Sequence, residues 1–111
     1  WSHDTNGIPY KVEMSCIELP GGCQNVKDIN LASNSSALSA TGSAGTGGDI
    51  INQGNWTVLG TTARLDAVPA TAIDDNDYIY LTNGATVSAA GTKAQFSAGK
   101  YVIRFYGYKD F

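Results

Sequence analysis

Charge is scarce in this chain: Lys, Arg, Asp and Glu make up only 15% of its 111 residues, seven cations against ten acids. The net charge of −3 argues against nucleic acid as a partner, because phosphate recognition needs a concentrated basic surface. Soluble helices expose faces rich in Glu, Lys, Gln and Arg, so the same scarcity disfavours an α-helical fold. No apolar run approaches the roughly 20 residues that cross a bilayer as a helix. Histidine occurs once, as His3. Ser2 and Asp4 flank it, but adjacent side chains diverge and do not make a catalytic triad. No nucleophile, base and orienting group can be named together, so the sequence predicts neither an enzyme nor a cofactor.

Cysteine is equally sparse, with Cys16 and Cys23 alone. Six residues separate them, which is unlike a redox CxxC pair and too few ligands for zinc. Pro20, Gly21 and Gly22 suggest a turn between the two. The favoured expectation is a local disulfide across that turn, worth on the order of 2 kcal/mol by loop closure. Two free thiols are the alternative.

What is abundant is Gly (13 residues), Ser, Thr, Asn and Tyr, a mixture that suits strands joined by tight turns. With 42% apolar residues the chain is rich enough to fold, and its length suits one domain with one core. It opens on Trp1 rather than Met, as a processed product or an excised domain would. Residues 1–9 read as an N-terminal arm, with Trp1 as an anchor onto a neighbour, and 10–111 as the folded domain. Tyr10, Val12, Met14 and Cys16 alternate with Lys11, Glu13 and Ser15, the period of a half-buried strand. Further strands are expected near 26–31, 49–51, 56–59, 61–68, 78–82, 86–88 and 93–97, with Asn83-Gly84 as a hairpin turn. The strongest strand is 100–108, with Tyr101, Ile103 and Phe105 on one face and Val102, Arg104 and Tyr106 on the other. Apolar on both faces, it belongs in the middle of a sheet or at an interface. Residues 33–48 are nearly all Ser, Ala, Gly and Thr, and read as a surface loop or as a close-packing contact with a neighbouring subunit. Short strands separated by Gly, Asn and Pro predict an all-β fold: a single small β-sandwich, jelly-roll-like, with immunoglobulin-like topology as the alternative.

Asp74, Asp75 and Asp77 are the densest oxygen cluster. They lack the EF-hand spacing, so an Asx-type turn is the better expectation than a calcium site. Aromatic residues concentrate in the last third. Those expected at an interface are Trp1, Trp56, Tyr101, Tyr106, Tyr108 and Phe111, since Trp and Tyr anchor protein contacts.

The C-terminal part runs Ile73, then Asp77-Tyr78-Ile79-Tyr80-Leu81-Thr82-Asn83-Gly84-Ala85. After a small-residue spacer it continues Phe96-Ser97-Ala98-Gly99-Lys100-Tyr101-Val102-Ile103-Arg104-Phe105-Tyr106-Gly107. Over roughly these last forty residues the chain resembles the capsid decoration and head-fibre proteins of tailed bacteriophages. The resemblance implies a jelly-roll-like structural subunit located on the virion. Its partners would be copies of itself, often as a trimer, and other virion proteins. Two other expectations stand beside it. One is an extracellular pilus or filament subunit, for which a Cys16–Cys23 pair would suit an oxidising compartment. The other is a carbohydrate-binding module in which Trp56 and surface tyrosines stack on a surface glycan.

Overall fold

A computed structural model describes residues 1–22, 27–35, 49–68, 73–83 and 96–109. Cys23, Phe111, Gly84 of the expected hairpin turn, most of the small-residue segment 33–48, the expected strand at 86–88 and residues 93–95 of the one expected at 93–97 lie outside the described residues.

The described chain is all-β apart from one helical turn. The elements are α1 (His3–Asn6), β1 (Ile8–Gly22), β2 (Ile29–Asn34), β3 (Asp49–Ile51), β4 (Thr62–Leu65), β5 (Tyr78–Asn83) and β6 (Phe96–Tyr108). They form two antiparallel three-stranded sheets, ordered β4-β1-β6 and β3-β2-β5, packed as a small sandwich. Val12, Met14 and Cys16 from β1 meet Ile29 and Leu31 from β2, Ile50 and Ile51 from β3, and Trp56, Ala63 and Ile73 in one core. From Val12 to Cys16 the alternation read from the sequence is the alternation of the fold, with Val12, Met14 and Cys16 fully buried and Lys11, Glu13 and Ser15 pointing away, whereas Tyr10, expected on the buried face, is exposed.

Four expectations need correction. The 56–59 segment is not a strand. Trp56 drops into the core with no solvent exposure, its indole Nε1 donating to the Ile29 carbonyl at 2.8 Å. The chain then turns at Val58, where Thr61 N donates to Val58 O and Gly60 takes a φ of 81°. Second, Pro20-Gly21-Gly22 does not turn the chain, and β1 continues through it with Gly21 opposite Ala98 and Gly22 opposite Phe96. Register shifts around these residues accommodate a proline that cannot donate to the ladder. Gly99, at φ 130°, passes so close that a Cβ on it would meet Pro20 Cα at 3.3 Å.

Third, residues 1–9 are not a free arm. Ser2 caps α1, its hydroxyl accepting from Thr5 N at 3.4 Å, and Gly7 at φ 80° ends it. The Trp1 ring packs on Phe105 with centroids 5.3 Å apart, and its Nε1 donates to Gly7 O at 2.9 Å. Gly7 has to be glycine, since a Cβ there would lie 2.5 Å from the Tyr108 carbonyl oxygen. Ile8 and Pro9 already belong to β1. Finally, of the two places expected for the last strand the middle of the sheet goes to β1, and β6 is an edge strand among the described residues.

The acidic segment forms a tight turn. Asp77 N donates to Asp74 O at 3.1 Å, the Asp77 carboxylate accepts from Asp74 N at 2.9 Å, and Asn76 takes a φ of 67°. The turn also clasps the N-terminal segment. Asp75 Oδ1 accepts from His3 N at 2.8 Å, Asn76 N donates to Trp1 O at 2.8 Å, and His3 Nε2 lies 3.3 Å from the Ile73 carbonyl.

Candidate assembly face

The side of the β4-β1-β6 sheet turned away from the core carries Ile8, Tyr10, Ile17, Val102 and Tyr108, five of the nine exposed large apolar residues among the described residues. β1 supplies Ile8, Tyr10, Lys11, Glu13, Ser15 and Ile17. β6 supplies Val102, Arg104, Tyr106 and Tyr108, and β4 supplies Thr62 and Arg64. Antiparallel register sets the rows, because directly opposed residues share a face. Glu13 faces Arg64 on one side and Arg104 on the other, and Ser15 faces Thr62 and Val102. The Ser15 and Thr62 hydroxyls are 2.8 Å apart.

Tyr10 reaches this face through an irregularity. Pro9 pairs with Gly107 and Lys11 with Tyr106, which leaves Tyr10 as the extra residue of a bulge. It therefore leaves the Val12-Met14-Cys16 face on which simple alternation puts it. Its ring instead lies 6.2 Å from Tyr106 and 6.3 Å from Tyr108, both tilted contacts. Tyr10 is 45% exposed, Tyr108 49% and Ile17 57%. The signal for this was present in Pro9, which a strand tolerates at a bulge or edge.

The polar part of the face is held by Glu13, whose side chain is only 12% exposed. Lys11 Nζ lies 3.1 Å from it and Arg64 Nε 3.4 Å, while the Tyr106 hydroxyl donates to it at 3.2 Å. The hydrogen bond from Lys11, with help from Tyr106 and Arg64, holds the Glu13 carboxyl below its ordinary range and raises Lys11. A carboxylate so held is ionised at neutral pH and is unsuited to donate a proton. Lys11 Nζ also sits 5.2 Å over the Tyr106 ring. Glu18 is lowered in the same way by Lys100, which lies 2.8 Å away, and by Gly99 N–H.

Of the aromatic residues expected at an interface, Tyr106 and Tyr108 are on this face. Trp56 is not, being fully buried and set edge-on to Tyr101 at 5.1 Å between centroids. Tyr101 packs inward with it, and Trp1 is partly buried against the core. The Tyr101 hydroxyl is buried without a hydrogen-bond partner, and burial pushes its pKa far above the ordinary value, with the neighbouring Cys16 adding to the shift. Cys16 carries a free buried thiol, raised by burial and so a poor nucleophile. Its expected pairing with Cys23 falls outside the described residues.

Among the described residues, no group of three or more His, Cys, Asp or Glu converges to hold a metal ion. No helix among them is long and apolar enough to cross a membrane. No protein-family model, curated protein or solved structure matches the chain.

Proposed function

We propose that the chain is a non-enzymatic structural subunit that assembles through protein contacts, and specifically a virion decoration or fibre subunit. The observation that carries the assembly reading is the outer face of the β4-β1-β6 sheet. There Ile8, Tyr10, Ile17, Val102 and Tyr108 are all more than a third exposed on one side of the sheet, at its two ends about the Glu13 network. Apolar and aromatic surface gathered on one side marks a place where another molecule sits. The low overall charge supports the same reading, since it gives little electrostatic opposition to packing against copies. The virion assignment adds the C-terminal sequence resemblance to this and stands or falls separately.

Light scattering across a range of concentrations tests the proposal. A defined oligomer supports an assembling subunit, and a strict monomer at every concentration contradicts it. The glycan reading loses Trp56, its expected stacking residue, to the core and retains surface tyrosines, among them Tyr10, Tyr106 and Tyr108 on this face and Tyr78 on β5. Glycan binding abolished by Tyr108→Ala in a monomeric protein would favour it instead.

A further inference from the structure

Resting on the assembling-subunit reading, we infer that the open edge of β6 pairs antiparallel with β6 of a second copy, about a two-fold axis at Ile103, joining two sheets into one of six strands. Exposed strand edges attract foreign strands, and proteins blunt them by shortness, proline, bulges or inward charges. β4, the opposite edge of this sheet, has only four residues, and β3 in the other sheet has three. β6 has thirteen. Across residues 101–106 it pairs with β1 without a register shift, and it has neither proline nor an inward charge there. It is the longest described edge, and over this stretch it is unguarded.

The core-facing side of β6 is also unfinished. Val12, Met14 and Cys16 on β1 have no exposure, while Tyr101, Ile103 and Phe105, one strand further out, pack on the same core yet remain partly exposed. A strand laid alongside would extend the core over them. Tyr101 brings a buried hydroxyl without a partner to this edge of the core.

The occupant follows from the pattern of β6 itself. Antiparallel partners must share parity, or every side chain changes face. Centring on Arg104 sets Arg against Arg, and centring on Val102 sets Lys100 against Arg104, both repulsive. Centring on Ile103 sets Tyr101 against Phe105 and Ile103 against itself on the core side. On the outer side it sets Val102 against Arg104 and Lys100 against Tyr106. No like charges meet, and both cations face apolar or aromatic side chains. A second copy of this chain is thus complementary to the edge in charge and in face.

Cysteine cross-linking tests both the partner and the register. Val102→Cys and Arg104→Cys are made separately on a Cys23→Ser background, both at exposed outer positions. Opposed antiparallel residues have Cα separations of about 4.5–5.5 Å, within disulfide reach. The expected result is a disulfide dimer of twice the chain mass when the two variants are mixed and oxidised, and little in either alone. An oligomer by light scattering without the mixed cross-link overturns edge pairing and leaves assembly standing. Equal cross-linking in a single variant overturns the Ile103 register. A monomer throughout overturns both the pairing and the assembly reading.

Discussion

Val12, Met14 and Cys16 look inward from β1 and have no solvent exposure, while Lys11, Glu13, Ser15 and Ile17 look outward from the same strand. The inner face is held by apolar packing. On the outer face Glu13 gathers Lys11, Arg64 and Tyr106 in one polar network, bordered by Tyr10, Tyr108, Ile17 and Val102, each more than a third exposed. Stability resides on the inner face, and what the outer face contributes is exposed surface, which the proposed assembly would cover. The difference is one of chemistry within a single strand, since neighbouring residues alternate between the two environments.

The comparison predicts very unequal responses to substitution. Trp56→Ala, on the inner side, empties the largest fully buried side chain and leaves the Ile29 carbonyl without its indole donor. It should cost about 3–5 kcal/mol in urea denaturation. Tyr101→Phe removes a buried hydroxyl that has no partner, so the account expects a neutral change or a gain of up to about 1 kcal/mol. The same variant sharpens the alkaline limb. The fold keeps Tyr101 protonated, so the unfolded chain releases that proton first, near the ordinary value of 10.0, and stability falls as the pH rises past it. In Tyr101→Phe that part of the decline should disappear from a melting-temperature profile.

On the outer side the effects shrink. The folded pKa of Glu13 lies below its ordinary 4.5, so its contribution is present above that pH and is lost as the pH falls through it. Glu13→Gln should flatten the acid limb of the same profile while leaving the core intact. Glu18, lowered by Lys100, contributes in the same direction, so a residual acid limb remains. Tyr108→Ser should change monomer stability by no more than about 0.5 kcal/mol, because an exposed side chain is removed. Its effect should appear in light scattering, as a weaker oligomer. A loss of several kcal/mol in Tyr108→Ser would erase the distinction between the two faces.

Much of this division was legible in the residues. The period-two run from Val12 to Cys16 names its buried face, because strand side chains alternate strictly, whereas the last strand, apolar on both sides, shows two faces without showing which is buried. An all-β sandwich followed from such runs and from the Gly- and Asn-rich breaks between them. Two bulges were less visible. Pro9 and Pro20 look like strand boundaries, yet register shifts let β1 run past both and carry Tyr10 to the outer face. Trp56 stands in no alternating run, so its place depended on packing between sheets, and an isolated Trp reads equally well as an anchor for a partner. The clasp of residues 1–7 on the acidic turn joins segments some seventy positions apart through bonds that each use at least one backbone group, which no side-chain pattern announces. The composition of the outer face needed the register: Tyr106 and Tyr108, expected at an interface, lie on it, and Ile8, Tyr10, Ile17 and Val102 join them there.

Backbone hydrogen exchange, followed by mass spectrometry at low and high protein concentration, tests the central claim most directly. Both edges of the β4-β1-β6 sheet can be read in one experiment. If the outer face and the β6 edge serve assembly, protection of amides at 101–108 rises with concentration while that at Thr62–Leu65 stays unchanged. Protection in β6 that is independent of concentration, from dilute to concentrated protein, would contradict the account.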